Sequence, residues 1–359
     1  MPTKELKVNT SSPVCVTGAT GYVAGVLIQE LLKIGVTVHA TCRDPSQKDR
    51  LAYLQTVADG LPGTLKFYKA DLLDKGSFHE AMKGCSIVFH TASPFVMKVE
   101  DPTKDLIEPA VHGTENVLTA VNDTPSVKRV VLTSSVVAMK TDAADADEAP
   151  GGVLNEDAWN RTATLATSPY PLSKTMAEQK AWVMAGSQSR WSMATIHPGL
   201  VVGPGLKYHA SSTSYQLVKQ LADGTMKTGV PNLALSAVDV REVAHAHVAA
   251  AYLPEASGRY IVNAMDTTFP EMANMLRDKF GADYPIPAST VPKLLVWMVA
   301  PYLPGGLTRE YISRNVDRGG KMDNTKSIRE LGLEYRPVKE SMEEMMQQMI
   351  DAGVFKKEA

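Results

Sequence analysis

The sequence predicts an α/β fold: a doubly wound parallel sheet followed by a smaller C-terminal α/β substrate region. Three observations carry this. The first half alternates short apolar runs with helical periods, a pattern that calls for right-handed parallel crossovers. A glycine turn, Gly18-Ala19-Thr20-Gly21, joins the first apolar run to the first helical period. Gly18, Asp71, Thr91, Ser135 and His197-Pro198-Gly199 close successive runs, and such sheets bind ligands at the carboxyl ends of their strands.

In chain order, residues 14–17 predict a strand, 23–33 a helix and 36–41 a second strand. Residues 65–69 and 87–91 are the next strands, with a helical 76–82 between them. A long helix, 103–121, leads into strand 130–135. Residues 141–156 are acidic, rich in alanine and punctuated by Pro150-Gly151-Gly152, which predicts a surface loop with no chemistry of its own. After strand 192–197 the chain is broken by Pro204-Gly205, Pro231-Asn232, Pro285-Ile286-Pro287 and Pro304-Gly305-Gly306, as expected of a substrate-binding part. Asp239 with Glu242 predicts a capped helix through Tyr252. The last helix, 339–349, presents Met342, Met345, Met346 and Met349, a stripe expected in the core. The expected division is 1–200 for a dinucleotide-binding domain of Rossmann type and 201–359 for the substrate-binding region, with 228–265 partly returning to the first.

Bulk properties narrow the function. A chain of 359 residues, 44% hydrophobic and 21% charged, has the composition of a soluble globular protein. A net charge of −2 supplies no basic field, so neither nucleic acid nor an anionic membrane is the expected partner. Cys15, Cys42 and Cys85 are odd in number and scattered, hence reduced core residues and not a disulfide or zinc framework. The first residues lack an apolar signal core, and the apolar run at 294–300 is far too short to span a bilayer, so a cytoplasmic protein, monomer or homodimer, is expected. No metal is expected either: His245 and His247 lie two apart on a helix and face different sides.

The chemistry centres on Tyr170-Pro171-Leu172-Ser173-Lys174. Four-residue spacing puts the phenol and the ammonium on one helical face. A phenol donates protons usefully near neutrality only where a cation stabilises its phenolate. Such pairs also occur as solvated surface neighbours, but here Ser135 ends an apolar strand 35 residues upstream and the glycine turn begins the chain's first crossover. Ser135 is expected to donate to a substrate carbonyl oxygen, Tyr170 to protonate it, and Lys174 to support Tyr170 and bond the nicotinamide ribose.

In Gly18-x-x-Gly21-x-x-Ala24 the glycines allow a tight turn and close approach of backbone amides to a diphosphate. Thr17, Gly18, Gly21, Tyr22 and Val23, then Thr91, Ala92, Ser93 and Thr133, are expected to line one cofactor groove with Tyr170 and Lys174. Arg43 follows the second strand, where NAD-preferring folds place an acid; with Arg50, and less directly Lys48, it would bind the 2′-phosphate of NADPH. Its alternative is a surface pair with Asp44. Asp71 and Leu72 would hold the adenine, though Asp71 also suits a cap. Phe95, Leu206, Tyr208 and Tyr215 are expected around a mostly apolar carbonyl substrate.

Nearly the whole chain resembles an extended short-chain dehydrogenase/reductase of the branch containing dihydroflavonol 4-reductases, cinnamoyl-CoA reductases and NADPH-dependent aldehyde/ketone reductases. The resemblance rests on Val16-Thr17-Gly18-Ala19-Thr20-Gly21, Thr133-Ser134-Ser135, Tyr170-Pro171-Leu172-Ser173-Lys174, His197-Pro198-Gly199-Leu200-Val201-Val202-Gly203-Pro204 and Val238-Asp239-Val240-Arg241-Glu242. It implies an NADPH-dependent oxidoreductase, with Ser135 as the catalytic serine of the pair and Pro198, Gly199 and Leu200 flanking the nicotinamide. The Asn-Trp-Tyr-Cys-Tyr signature of cinnamoyl-CoA reductases is replaced by Ala166-Thr167-Ser168-Pro169-Tyr170. Lys140 stands where dihydroflavonol reductases carry an Asn that reads the flavonoid. The alternatives are a hydroxysteroid dehydrogenase or nucleotide-sugar epimerase, which the lack of Arg in 206–221 disfavours, and a non-catalytic NADPH-sensing regulator, which the intact Tyr/Lys couple disfavours.

Overall fold

Residues 4–93, 99–302 and 307–355 are described by a computed structural model. The first half runs β1 (Val14–Val16), α1 (Tyr22–Lys33), β2 (Thr37–Cys42), α2 (Lys48–Asp59), β3 (Thr64–Lys69), α3 (His79–Met82), β4 (Ile87–His90), α4 (Glu108–Asp123), β5 (Arg129–Thr133), α5 (Ala143–Asp147), α6 (Pro169–Gly186) and β6 (Ser192–Pro198). There follow β7 (Leu200–Val202), α7 (Thr213–Ala222), β8 (Val230–Pro231), β9 (Ala234–Asp239), α8 (Val240–Tyr252), β10 (Gly258–Val262), β11 (Met265–Thr268), α9 (Phe269–Phe280), β12 (Thr290–Val291), α10 (Lys293–Val299), α11 (Arg309–Asn315), α12 (Thr325–Leu331) and α13 (Val338–Asp351).

Seven strands form the main sheet in the order β10-β6-β5-β4-β1-β2-β3, every neighbour parallel. The interior strands β1 and β4 are buried along their whole length, whereas β3 at the edge alternates exposed Thr64, Lys66 and Lys69 with half-buried residues. Continuous apolar runs suit a sheet covered on both faces, and charged residues suit an edge. Strand order reverses between β1 and β4, which opens a crevice at their carboxyl ends. Helix α8 is rich in alanine and packs closely on α1, so an element that follows residue 201 covers the first crossover. Strand β10 extends the sheet beside β6. A second sheet, β11-β9-β7, carries the C-terminal core, where Met342, Met345, Met346 and Met349 of α13 are completely buried, as the stripe predicts. The three cysteines are free and buried. Among the described residues no helix is long and apolar enough to cross a membrane.

Two local expectations need correction. Residues 141–156 are not a plain surface loop. Ala143, Ala144 and Ala146 of α5 are buried, Asp142 and Asp145 form a reciprocal cap, and Arg314 of α11 binds both carboxylates at 2.8 and 2.6 Å. Acidic composition suggested solvent, but the cations that neutralise it lie about 170 residues away in sequence. The cap on α8 is half of a box: Asp239 accepts from the Arg241 amide at 2.7 Å, while Glu242 turns to Arg336, also at 2.7 Å.

One charged side chain pins three elements together. Glu178 of α6 is 1% exposed and accepts from the Ser134 hydroxyl at 2.7 Å, Arg259 Nε at 2.8 Å and Trp182 Nε1 at 3.1 Å, and pairs with His197 Nε2 at 2.7 Å. Thr195 and His197 alternate on β6 and therefore share a face, and Arg259 of β10 is the register partner of Thr195. The Arg259 guanidinium also donates to the carbonyls of Glu156 and Ala158 and lies 4.0 Å from the Trp159 ring. Burial alone would raise the Glu178 pKa, but His197 and Arg259 reverse this and hold it at about 2. Its folded pKa is thus below the value of 4.5 for a free side chain. The stabilisation is complete above that pH and is lost as pH falls toward the folded value. We expect Glu178→Gln to cost about 3–5 kcal/mol at pH 7, because Arg259 is left without its anion. The gap to wild type in urea melts should narrow at pH 3. An equal gap at both pH values would show that the carboxylate charge is not what the network uses.

Candidate active site

Gly18 turns the chain out of β1 with φ +71°, and a Cβ there would lie 2.9 Å from Ala92 Cα. Both the conformation and the approach of β4 require glycine. The turn is tied to β2, since the Gly18 and Ala19 amides donate to Thr41 Oγ1 at 3.3 Å and Thr41 O at 2.9 Å. Gly21 caps α1 with no side chain, so the first amides of the helix are left for a ligand, at the positive end of its dipole. The crevice walls are stitched together at the same level. Ala92 N donates to Thr17 Oγ1 at 3.0 Å, Thr91 Oγ1 donates to Thr17 O, and Thr17 Oγ1 meets His90 Nδ1 at 3.0 Å. Burial, with Lys174 nearby, pushes the His90 pKa down to about 3, so the ring is neutral.

Arg43 and Arg50 are exposed and carry no ion pair among the described residues. Asp44 bonds Ser46 and Gln47, not Arg43. The two guanidiniums therefore stand unmatched beyond β2. Asp71 Oδ1 accepts from the Leu73 amide at 2.9 Å, which makes it a turn cap, while Leu72 packs beside Gly113 of α4. Gly199 donates to Val262 O at 3.3 Å, and a Cβ on it would meet Ser236 O at 2.4 Å, so Pro198 and Leu200 flank a point that admits only glycine.

Helix α6 starts at Pro169, whose missing amide costs nothing at that position. Tyr170 in its first turn is 48% exposed. One turn on, Lys174 Nζ lies 5.9 Å from the centre of the Tyr170 ring and donates to Ser93 Oγ at 2.9 Å. The paired serines at the end of β5 have different tasks. Ser134 points down to Glu178, whereas Ser135 stays half-buried, and among the described residues its Oγ has only a 3.4 Å contact from the Val137 amide. The turn Val136–Ala138, which Ser135 caps, packs beside α6. The structure thus gathers Thr17, Gly18, Thr91, Ala92, Ser93, Ser135, Tyr170 and Lys174 at one set of strand ends.

Other expected residues lie elsewhere or are occupied. The Thr133 hydroxyl is 2.6 Å from His247 Nε2, and His247 Nδ1 is 2.7 Å from Val243 O. A carbonyl can only accept, so Nδ1 carries the proton and Thr133 donates to His247 Nε2 on α8. Burial pushes His247 to about 4. His245 faces Glu30 instead, at 3.3 Å, so the two histidines do point apart. The Tyr22 side chain leaves the groove and donates to Gly203 O, and Val23 packs against the core around α1. Tyr215 does not line an opening. It is fully buried, accepting from the Gly205 amide at 2.9 Å and donating to Gln348 of α13. Tyr208 stacks edge-on against it at 5.3 Å, and Leu206 sits over Gly25 of α1. Phe95 lies outside the described residues. The sequence reading missed Glu178, whose only local sign is that it continues the Tyr170–Lys174 spacing by one more turn.

Residues 14–264 match the family model described as the NAD dependent epimerase/dehydratase family. The chain is 34% identical over 344 residues to cinnamoyl-CoA reductase CAD2 of Medicago truncatula, covering 95% of this chain and 96% of that protein. It is 36% identical to an anthocyanidin reductase of Arabidopsis thaliana, covering 75% and 81%. Gre2 of Candida albicans, solved in complex with NADPH, superposes with a TM-score of 0.76 at 27% identity over 95% of this chain and 99% of that one. The yeast methylglyoxal/isovaleraldehyde reductase Gre2, also complexed with NADPH, gives 0.75 at 26% over 96% and 99%.

The serine pair should separate cleanly in stability measurements. Ser134→Ala removes a donor from a buried carboxylate and should cost about 1–3 kcal/mol in chemical denaturation. Ser135→Ala should stay within about 0.5 kcal/mol of wild type. The reverse order would exchange their assignments.

Proposed function

The chain belongs to the NAD dependent epimerase/dehydratase family, and from that membership we propose that it reduces an aldehyde or ketone to the alcohol with NADPH. The observation that carries the reading is the Tyr170–Lys174 couple at the head of α6, tied by Lys174 to Ser93 just beyond β4, with a half-buried Ser135 ending β5 against the same helix. The residues present fit the cofactor. Gly18 leaves the space a Cβ would fill, the first amides of α1 suit a diphosphate, and unpaired Arg43 and Arg50 suit a 2′-phosphate. Asp71 and Leu72 would border the adenine, and Pro198, Gly199 and Leu200 the nicotinamide, whose chemistry when bound is hydride donation.

The remaining work falls to this chain. The Ser135 hydroxyl donates to the carbonyl oxygen and favours charge developing there. Tyr170 delivers its proton to that oxygen as the alcohol forms. Lys174, one turn away, stabilises the phenolate that is left, and its ammonium has further N–H groups for a ribose hydroxyl beside its bond to Ser93. Near-half exposure of Tyr170 leaves room for the substrate carbonyl to reach it.

The substrate class we favour is a mostly apolar carbonyl compound. Lys140 donates to Gly320 O at 3.1 Å and is largely desolvated among four aspartates, so an amide reader of flavonoid hydroxyls is replaced by a cation turned to the backbone. A panel of aldehydes and ketones, followed by NADPH absorbance, tests the activity. Turnover by Tyr170→Phe should fall by roughly 10² to 10⁴ with NADPH binding little changed; wild-type turnover in that variant would refute the mechanism. Arg43→Ala should weaken NADPH by about ten- to a hundredfold and leave NADH nearly unchanged in titrations. Equal loss for both would place Arg43 in the fold and not at the phosphate.

A further inference from the structure

The loop between β7 and α7 carries an exposed lysine, Lys207, that none of the chemistry above uses. Its position is closely fixed. Tyr22 donates to Gly203 O, the Gly205 amide donates to Tyr215 at 2.9 Å, and Gln348 Nε2 donates to Gly205 O at 2.6 Å. Leu206 packs on Gly25, so the loop crosses α1 toward α2. There Lys207 Nζ stands 4.1 Å from the centre of the Tyr53 ring. Arg50 precedes Tyr53 by three residues on α2 and so shares its face. The two cations are close enough that Arg50, after partial burial, helps to hold the Lys207 ammonium below the usual lysine value. Neither has an ion pair among the described residues. Cations gathered without a counter-charge repel each other, and a multiply charged anion is the partner that relieves them.

We propose that Lys207, reaching across from the C-terminal half, completes with Arg50 and Arg43 the site for the 2′-phosphate of the cofactor. This rests on the reading that Arg43 and Arg50 face that phosphate. A dianion held there bridges the loop after β7 to α2, so the preference for NADPH over NADH draws on both halves of the chain.

Calorimetric titration of Lys207→Ala and Lys207→Arg with NADPH, NADH, 2′,5′-ADP and 5′-AMP tests this without turnover. Lys207→Ala should weaken NADPH and 2′,5′-ADP by about tenfold and leave NADH and 5′-AMP within about twofold, and Lys207→Arg should recover most of the loss. Unchanged NADPH affinity would mean that Lys207 only covers Tyr53. Equal loss for NADPH and NADH would place it at a part of the cofactor common to both. Either result overturns the proposal. Arg43→Ala and Arg50→Ala in the same titrations separate the two readings. If they lose NADPH selectivity and Lys207→Ala does not, only this proposal fails. If neither arginine discriminates, the 2′-phosphate reading fails with it.

Discussion

The buried carboxylate of Glu178 is the constraint on which the rest of the site depends. An isolated carboxylate in that position would be strongly disfavoured, and three different elements answer it: Ser134 after β5, His197 at the end of β6 and Arg259 on β10. Once those partners are engaged, α6 has a single rotational setting against the sheet. Tyr170 and Lys174, two and one turns earlier on the same helix, inherit that setting. The residues proposed to meet substrate are thus oriented by an ion cluster that is itself buried.

The cluster also explains the division of labour in the serine pair. Successive residues leaving a strand point to opposite sides. Ser134 is drawn down to the carboxylate, while Ser135 stays half-buried with its hydroxyl outside the cluster. A similar economy holds at the opposite wall, where Thr17 joins the ends of β1 and β4 and frees the glycine turn to lie against Ala92. Rigid strand ends and a helix with one permitted rotation are what hold catalytic groups to sub-ångström tolerance.

What the sequence made legible was local. Gly18 and Gly21, the alternation of strands and helices, the Met stripe of α13 and the Tyr170–Lys174 spacing depend on near neighbours, and they read correctly as fold and pattern. What it hid was non-local. Asp142 and Asp145 looked solvated because Arg314 is far along the chain, and Tyr215 looked available because Gly205 and Gln348, which occupy its hydroxyl, are joined to it only by folding. Glu178 gave no composition signal, since an acid inside an amphipathic helix normally faces water.

The position of β10 at the end of the main sheet has a consequence for synthesis. Residues up to the end of β6 leave the ribosome with that strand as an open edge, and its parallel neighbour is completed only at Val262. Until then Glu178 lacks Arg259, and α1 lacks the cover of α8. The nascent chain therefore holds an acid paired only with His197 and an open strand edge over some sixty further residues of translation, the interval in which partly folded α/β chains are most prone to wrong association. Completion of the sheet and of the acid's ion cluster arrive together, on one strand.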